Sequence, residues 1–524
     1  MNIKYIKRVA YLLLISVFSL VSVVRAQESN WTYKGVDWFA GPGGKIKGIH
    51  YPEEKNTAAE SQASIQLNSM ASMESKLLSN VIDSPPVAGF VPFITVAVTN
   101  KRSDDLDWAS HQHMAVTGSY LTDSPETDFT IGLFDTGAST HILSNTAADR
   151  TGVFAANLIT PNAVELLGAT NSIFGIVSQP LAIFMDGLAA VDPNSMLLND
   201  SNMVGQSNVS VIVGDAPEPN QPDLPTVVGS PMSVYYVTAI FNDSSVSVTY
   251  DGNNYTGPDI KFYSQYDPEI PDYANKIPLN LKPVGASDVE YFPDLDAIYS
   301  FIFQPGSPSV IGGLYQSLFF INSVDLYDSN NSALDRDNFM LDTGAQITVI
   351  SSNIAARLGL NPAEPDFEVD IQDVTGELTI EPGFFLDSLE IAALGEWPSF
   401  TNIPVVMLDV SSPEGGYLDG IIGMNLFTEY NLVLRGGGLL GQSPPSLSYE
   451  RIPPRLIGDI APEGGDGIVD YLDLITLADS WLATPSSPNW NPKANIGPRF
   501  IPDNIINFYD FAEMAQSWLD TISP

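Results

Sequence analysis

Phe134-Asp135-Thr136-Gly137-Ala138 returns 207 residues later as Leu341-Asp342-Thr343-Gly344-Ala345. Each copy follows an apolar stretch, residues 129–134 and 339–341. Each precedes another, His141-Ile142-Leu143 and Ile347-Thr348-Val349-Ile350. The pattern predicts a strand, a tight turn at the glycine and a second apolar element. One such turn would mean little, because Asp, Thr and Gly are ordinary turn residues. Two with matching flanks indicate an internal repeat.

Two further landmarks recur in order. A Gly-bearing turn lies between strand-like runs, at Gly168 (runs 164–167 and 172–174) and at Gly376 (runs 369–372 and 378–380). Two apolar residues and a glycine then follow, Val227-Val228-Gly229 and Ile421-Ile422-Gly423. The spacing predicts two copies of one β-rich lobe, residues 86–252 and 253–441.

In these residues the chain resembles the pepsin-like aspartic peptidases. Ala138, Ala345 and the run 421–426 are similar to the half-size retropepsins. The resemblance implies a mainly β, bilobal, pepsin-like double β-barrel and an aspartic endopeptidase acting on a polypeptide substrate without a catalytic cofactor. Amide hydrolysis needs a base to activate water and an acid to protonate the carbonyl oxygen and leaving nitrogen. Two close carboxylates sharing one proton supply both. By the resemblance, Asp135 and Asp342 are catalytic, Gly137 and Gly344 allow the turns, and Thr136 and Thr343 hydrogen-bond across the lobes. Ser139 is the expected donor to Asp135 from outside. Gln346 takes that place in the second copy, so the carboxylates differ in surroundings and the identity of the base stays open. The flap hairpin maps to Gly168, Ala169 and Thr170 and lacks the family's tyrosine. A non-catalytic binding or assembly protein on the same scaffold is the competing expectation.

Composition narrows the rest. With 62 acidic against 22 basic residues and a net charge of −40, phosphate backbones are repelled and nucleic-acid binding is excluded. Zero cysteines exclude disulfides, thiolate-bound zinc and a thiol nucleophile. The four histidines are His50, His111, His113 and His141. Gly 40 and Pro 39 suit a strand-rich, turn-rich chain. Residues 1–26 form a signal peptide by pattern: Lys4, Lys7 and Arg8, an apolar run from Val9 to Val24, and Val24-Arg25-Ala26 before Gln27. The expectation is a secreted or cell-surface protein with no membrane segment after cleavage. Residues 27–85 are either a removable prosegment or an extension packed on the lobes.

Residues 442–456, with Pro444, Pro445, Pro453 and Pro454, suggest a stiff linker. Beyond them a shorter repeat pairs 466–473 with 503–510, and each copy runs into a Trp-Leu, Trp481-Leu482 and Trp518-Leu519. Alternating oxygen ligands around a turn glycine are the pattern of an EF-hand-like calcium loop. The first set is Asp459, Asp466, Ile468 (carbonyl), Asp470 and Asp473, with Gly467 at the turn. The second is Asn495, Asp503, Ile505 (carbonyl), Asn507 and Asp510. Apolar stripes Leu474, Leu477, Ala478, Trp481, Leu482 and Phe511, Met514, Ala515, Trp518, Leu519 predict two packed helices. Residues 457–524 resemble the type I dockerins, which implies Ca2+ and a cohesin-like protein partner.

Overall fold

The computed structural model describes residues 12–13, 31–34, 49–52, 81–99, 129–167, 172–179, 181–199, 202–209, 211–214, 223, 225–283, 309–312, 317–329, 331–372, 378–412, 415–437, 444–452, 458–461, 467–484, 487–496 and 505–518. The chain divides into a unit of residues 1–451 and a unit of residues 452–524.

The first unit is mainly β. In its first lobe, Thr130–Asp135 pairs antiparallel with Phe93–Thr99 on one side and parallel with Val227–Gly229 on the other. Val227 also faces Ile142 in the antiparallel sense. The second lobe repeats this. Phe339–Leu341 runs parallel to Gly420–Ile422, and Thr348–Ile350 pairs antiparallel with that same strand. These central strands are buried on both faces, which is why they read as short continuous apolar runs.

A short helix follows each loop, Asn145–Arg150 and Ser352–Leu358, and each starts at a serine. Ser144 Oγ accepts the Ala147 N–H at 2.9 Å and Ser351 Oγ accepts the Ile354 N–H at 3.3 Å, satisfying donors that the first turn leaves open. Gly359, at φ +78°, ends the second helix in the left-handed conformation.

A further sheet is built from both halves of the chain. Val237–Tyr250 lies between Asn253–Tyr263 and Tyr430–Arg435, followed by Ser446–Arg451 and Asn275–Pro283. Two expected boundaries change here. The lobe border at 252/253 falls in the turn of the 237–263 hairpin. The expected linker of 442–456 contributes the strand Ser446–Arg451, because Leu447 and Tyr449 are apolar alternates that bury against the sheet.

Part of the N-terminal extension joins the second lobe. Ile49 and His50 pair with Val369 and Glu368, and Val81–Asp83 runs parallel to Ser399–Thr401. The Ser84 N–H donates to Thr401 O at 2.8 Å, and Thr401 Oγ1 donates to Asp83 Oδ1 at 2.9 Å. Residues 81–85 are therefore packed structure.

In the second unit the helices Tyr471–Asp479 and Phe508–Gln516 enclose a small core with Ile460, Val469, Leu477, Ala494, Ile506 and Met514. The expected stripes are corrected at their ends. The first helix stops at Asp479, so Leu482 lies beyond it at φ +60° and 65% exposed. Trp518 likewise follows the end of the second helix and is 39% exposed. Among the described residues, no helix is long and apolar enough to cross a membrane.

Candidate active site

Asp135 ends its strand and Asp342 follows Phe339–Leu341 directly. Both are fully buried. The inner oxygen of each is held by its own turn. Asp135 Oδ1 accepts from the N–H groups of Gly137 and Ala138 at 2.8 and 3.1 Å. Asp342 Oδ1 accepts from Gly344 and Ala345 at 2.9 and 3.2 Å. The strand-to-turn geometry thus fixes each carboxyl plane before any ligand arrives.

The glycines serve the opposite lobe. A Cβ on Gly137 would collide with the Asp342 carboxyl, and one on Gly344 would lie 2.5 Å from Asp135 Cγ. Each carboxyl packs over the other loop's bare Cα, which is why the repeat needs glycine twice.

Thr136 and Thr343 lock the loops together as expected. Each hydroxyl accepts the other threonine's N–H at 3.0 Å and donates to a carbonyl across the interface at 2.8 Å, Leu341 O for Thr136 and Phe134 O for Thr343. Thr136→Val keeps the shape and removes one hydroxyl. It leaves the Thr343 N–H and Leu341 O unpaired in a buried site, at about 1–3 kcal/mol per group. The expected result in thermal unfolding is a clear fall in Tm that Thr136→Ser restores.

The two carboxyls lie close enough to act on each other's ionisation. Burial raises the Asp135 carboxyl to about 6, against the lowering effects of Asp342 and the two turn N–H groups. Asp342 is raised well above the ordinary carboxylate range, first by burial and then by the charge on Asp135. Asp135 Oδ2 is buried and accepts no N–H or O–H from any described residue. Ser139, four residues after Asp135, is also fully buried.

Gln346 is also differently employed. Its Nε2 donates to Gly89 O at 3.1 Å, and its carbonyl accepts the Gly89 N–H at 2.7 Å. A Cβ on Gly89 would run into the Met424–Asn425 peptide. Met424 N–H in turn donates to Ala345 O at 2.8 Å. Gly89 is thus wedged beneath the second Asp-Thr-Gly loop. Gly89→Ala must move backbone, and overpacking of this kind costs about 1–3 kcal/mol. Chemical denaturation should show the midpoint falling with the slope unchanged.

His141 was not assigned a role by its sequence. It is fully buried, its Nδ1 accepts the Gly229 N–H at 3.1 Å, and its Nε2 lies 2.8 Å from Gln206 Oε1. Those partners fix the neutral tautomer with the proton on Nε2. Burial lowers its pKa to about 4. In the second lobe Thr348 does the same work, accepting the Gly423 N–H at 3.2 Å and donating to Asn425 Oδ1 at 2.8 Å. Both residues are sixth after their Asp, a spacing that would have revealed the correspondence.

The flap candidates Gly168, Ala169 and Thr170 lie outside the described residues. The flanking strands Ile159–Leu167 and Ser172–Ser178 pair antiparallel, Leu167 opposite Ser172. His111 and His113 also lie outside.

In the second unit, Asp466 and Asp503 are outside the described residues. Asp473 Oδ1 accepts the N–H groups of Ile460 and Ala461 at 2.6 and 2.7 Å, and its Oδ2 accepts that of Asp470 at 2.7 Å. Asp510 accepts Ile496 and Asn507 N–H in the same way, at 2.7 and 2.6 Å. Asp470 and Asn507 cap their helices. Asp459 Oδ2 accepts the Gly467 N–H at 2.8 Å, and Gly467 sits at φ +81°. Among the described residues, no three Asp, Glu or His groups gather closely enough to hold a metal.

A family model described as aspartyl protease matches residues 330–426, the segment that carries the second Asp-Thr-Gly and its returning Ile421-Ile422-Gly423. No curated protein matches the chain. Solved structures similar to it include the aspartic proteinase from Irpex lacteus, at 15% identity over 70% of this chain and 98% of that one, TM-score 0.30. Conglutin gamma, a basic 7S globulin from lupine seeds, compares at 11% identity over 69% and 96%, TM-score 0.29. Basic 7S globulin from soybean compares at 9% over 68% and 96%, TM-score 0.30. The aspartyl protease match thus falls within the second, mainly β lobe of the first unit.

Proposed function

We propose that this chain is an exported aspartic endopeptidase that hydrolyses extended polypeptide with a water molecule held between Asp135 and Asp342. The observation that carries this is the facing pair of buried carboxyls, cross-wired by Thr136 and Thr343. Asp342 carries the proton, because the Asp135 charge adds to its burial. Asp135 is then the base. It takes a proton from water as the water oxygen bonds to the scissile carbonyl carbon. Asp342 gives its proton to the carbonyl oxygen. In the collapse of the tetrahedral intermediate Asp135 passes the proton it took from water to the leaving nitrogen, the C–N bond breaks, and the hydroxyl proton returns to Asp342, which restores the starting pair.

The test is cleavage of an unfolded protein by residues 27–524 over about pH 3 to 9, scored by new amino termini. Cleavage that peaks where the pair holds one proton supports the reading. No cleavage at any pH points instead to a scaffold that binds without catalysis.

The C-terminal unit is proposed to dock the enzyme, in the manner of a dockerin, to a cohesin-like protein. In support, corresponding positions of the two repeats expose apolar side chains: Ile468 and Ile505, Tyr471 and Phe508, Leu472 and Tyr509. Ca2+ would be held by Asp459, Asp466, Asp470, Asp473 and the Ile468 carbonyl, and by Asn495, Asp503, Asn507, Asp510 and the Ile505 carbonyl. A bound ion stabilises by mass action, about 2.7 kcal/mol at a hundred times Kd. Chelation should therefore lower the Tm of this unit in circular dichroism, and added Ca2+ should restore it. A helical signal and Tm indifferent to chelator would count against calcium.

A further inference from the structure

Beside the second catalytic loop the first unit holds a cavity of about 400 Å³, lined in part by Gln346, the fourth residue after Asp342. Neither catalytic aspartate lines it. Its origin is a break in the long hairpin. The register of Val237–Tyr250 against Asn253–Tyr263 shifts between Phe241 and Ser245, so residues 242–244 bulge away from the partner strand. Gly257, whose Cβ would lie 2.6 Å from Val91 O, lets the opposite wall come close to the 90–93 segment.

The lining is uncharged. Among the described residues around this cavity there is no Asp, Glu, Lys, Arg or His, in a chain with 62 acidic and 22 basic residues. A charged ligand would therefore lose hydration with no countercharge to replace it. A purely apolar ligand would strand the polar groups of the rim.

Those groups are already oriented by their other bonds. Asn242 uses its Nδ2 hydrogens on Phe427 O and Tyr430 O, at 3.0 and 2.8 Å, which leaves Oδ1 as its acceptor. Asn254 Oδ1 accepts from Thr249 at 2.6 Å, which leaves its Nδ2 as donor. Gln346 Nε2 serves Gly89 O, which leaves Oε1 as acceptor. The exposed Thr256 hydroxyl lies 2.8 Å from Ser247 Oγ, where either can be the donor, and so keeps one further lone pair or hydrogen for the cavity. Half-buried Phe90 supplies an apolar face. Fixed donors and acceptors around an aromatic face suit a ligand whose hydroxyls both donate and accept. The volume lies within the range of small-molecule sites, about 300–1,000 Å³.

We propose that this cavity is a binding site for a neutral, hydroxyl-rich ligand of disaccharide size. The assignment is independent of peptidase activity, because it is read by binding alone.

The test is isothermal calorimetry and ligand-observed NMR on residues 27–524. The probes are maltose, cellobiose and N,N′-diacetylchitobiose, with glucuronate and glucosamine as charged controls. At least one neutral disaccharide should bind with a Kd of about 1 mM or tighter, and the charged sugars should not. Thr256→Lys projects a long cation from an exposed position into the mouth, so it should weaken binding at least about tenfold while Tm is unchanged. Asn254→Ala should weaken it less. Failure of all three neutral probes at about 10 mM overturns the assignment, as does binding that Thr256→Lys leaves intact. Loss of cleavage with sugar binding retained would count against the peptidase reading alone.

Discussion

Asp135→Asn and Asp342→Asn should each lower kcat for peptide hydrolysis by at least about 10³-fold, the upper part of the range for removing one acid–base group. The double variant should be scarcely worse than either single one, because the pair works as a unit. Neither change should unfold the chain. Asparagine has the shape of aspartate, and its Oδ1 still accepts the turn N–H groups that now hold the acid.

These variants should also change stability with a defined sign. The folded pKa values of both groups are raised, Asp135 to about 6. Their contribution is fully present below the unfolded carboxylate range and is lost as pH rises through the folded values. At neutral pH the wild-type lobes carry a buried charge that the Asn variants lack. Asp135→Asn should therefore be more stable than wild type above pH 6 and lose that advantage near pH 4. Chemical denaturation at the two pH values measures this directly.

His141 should set the acid limit of the fold. Its folded pKa is lowered to about 4 by burial. The unfolded histidine, near 6.5, binds its proton first. Stability is therefore complete above about pH 6.5 and falls as pH drops towards 4. The full loss is about 3 kcal/mol, from the size of that shift. The cause is structural. A proton on Nδ1 would face the Gly229 N–H that now donates to it at 3.1 Å. His141→Thr copies the second lobe, where Thr348 accepts the corresponding Gly423 N–H. It should remove this acid sensitivity at the expense of a cavity, so Tm should be lower at pH 7 and less dependent on pH below 6. An unchanged slope between pH 6 and 4 would show that another group sets the limit.

Much of the architecture was legible in the sequence, because the constraints that build it act on neighbours. Asp-Thr-Gly between apolar runs encodes strand, turn and strand within about ten residues, and its recurrence encoded the two lobes. Gln346 and Gly89 could not be paired that way. They are 257 residues apart, and their contact depends on where the N-terminal segment crosses the second lobe. The same holds for Val81–Asp83 beside Ser399–Thr401. Ser446–Arg451 was hidden by the prolines on either side of a strand whose partners are distant. The backbone N–H groups of Gly137 and Ala138 that hold Asp135 leave no trace in the residue types, since any non-proline residue can supply them. In the C-terminal unit, the carboxylates of Asp473 and Asp510 close the capping boxes of their helices, a role that the pattern of alternating oxygens masks.

The shared proton is tested most directly by 13C NMR of aspartate-labelled protein, with the two Asn variants used to assign the resonances. Two carboxyls should titrate as a coupled pair, the first step near pH 6 and the second higher, and the loss of either aspartate should abolish that two-step curve. Two independent titrations in the ordinary carboxylate range would contradict the account, because carboxyls that ionise separately hold no common proton.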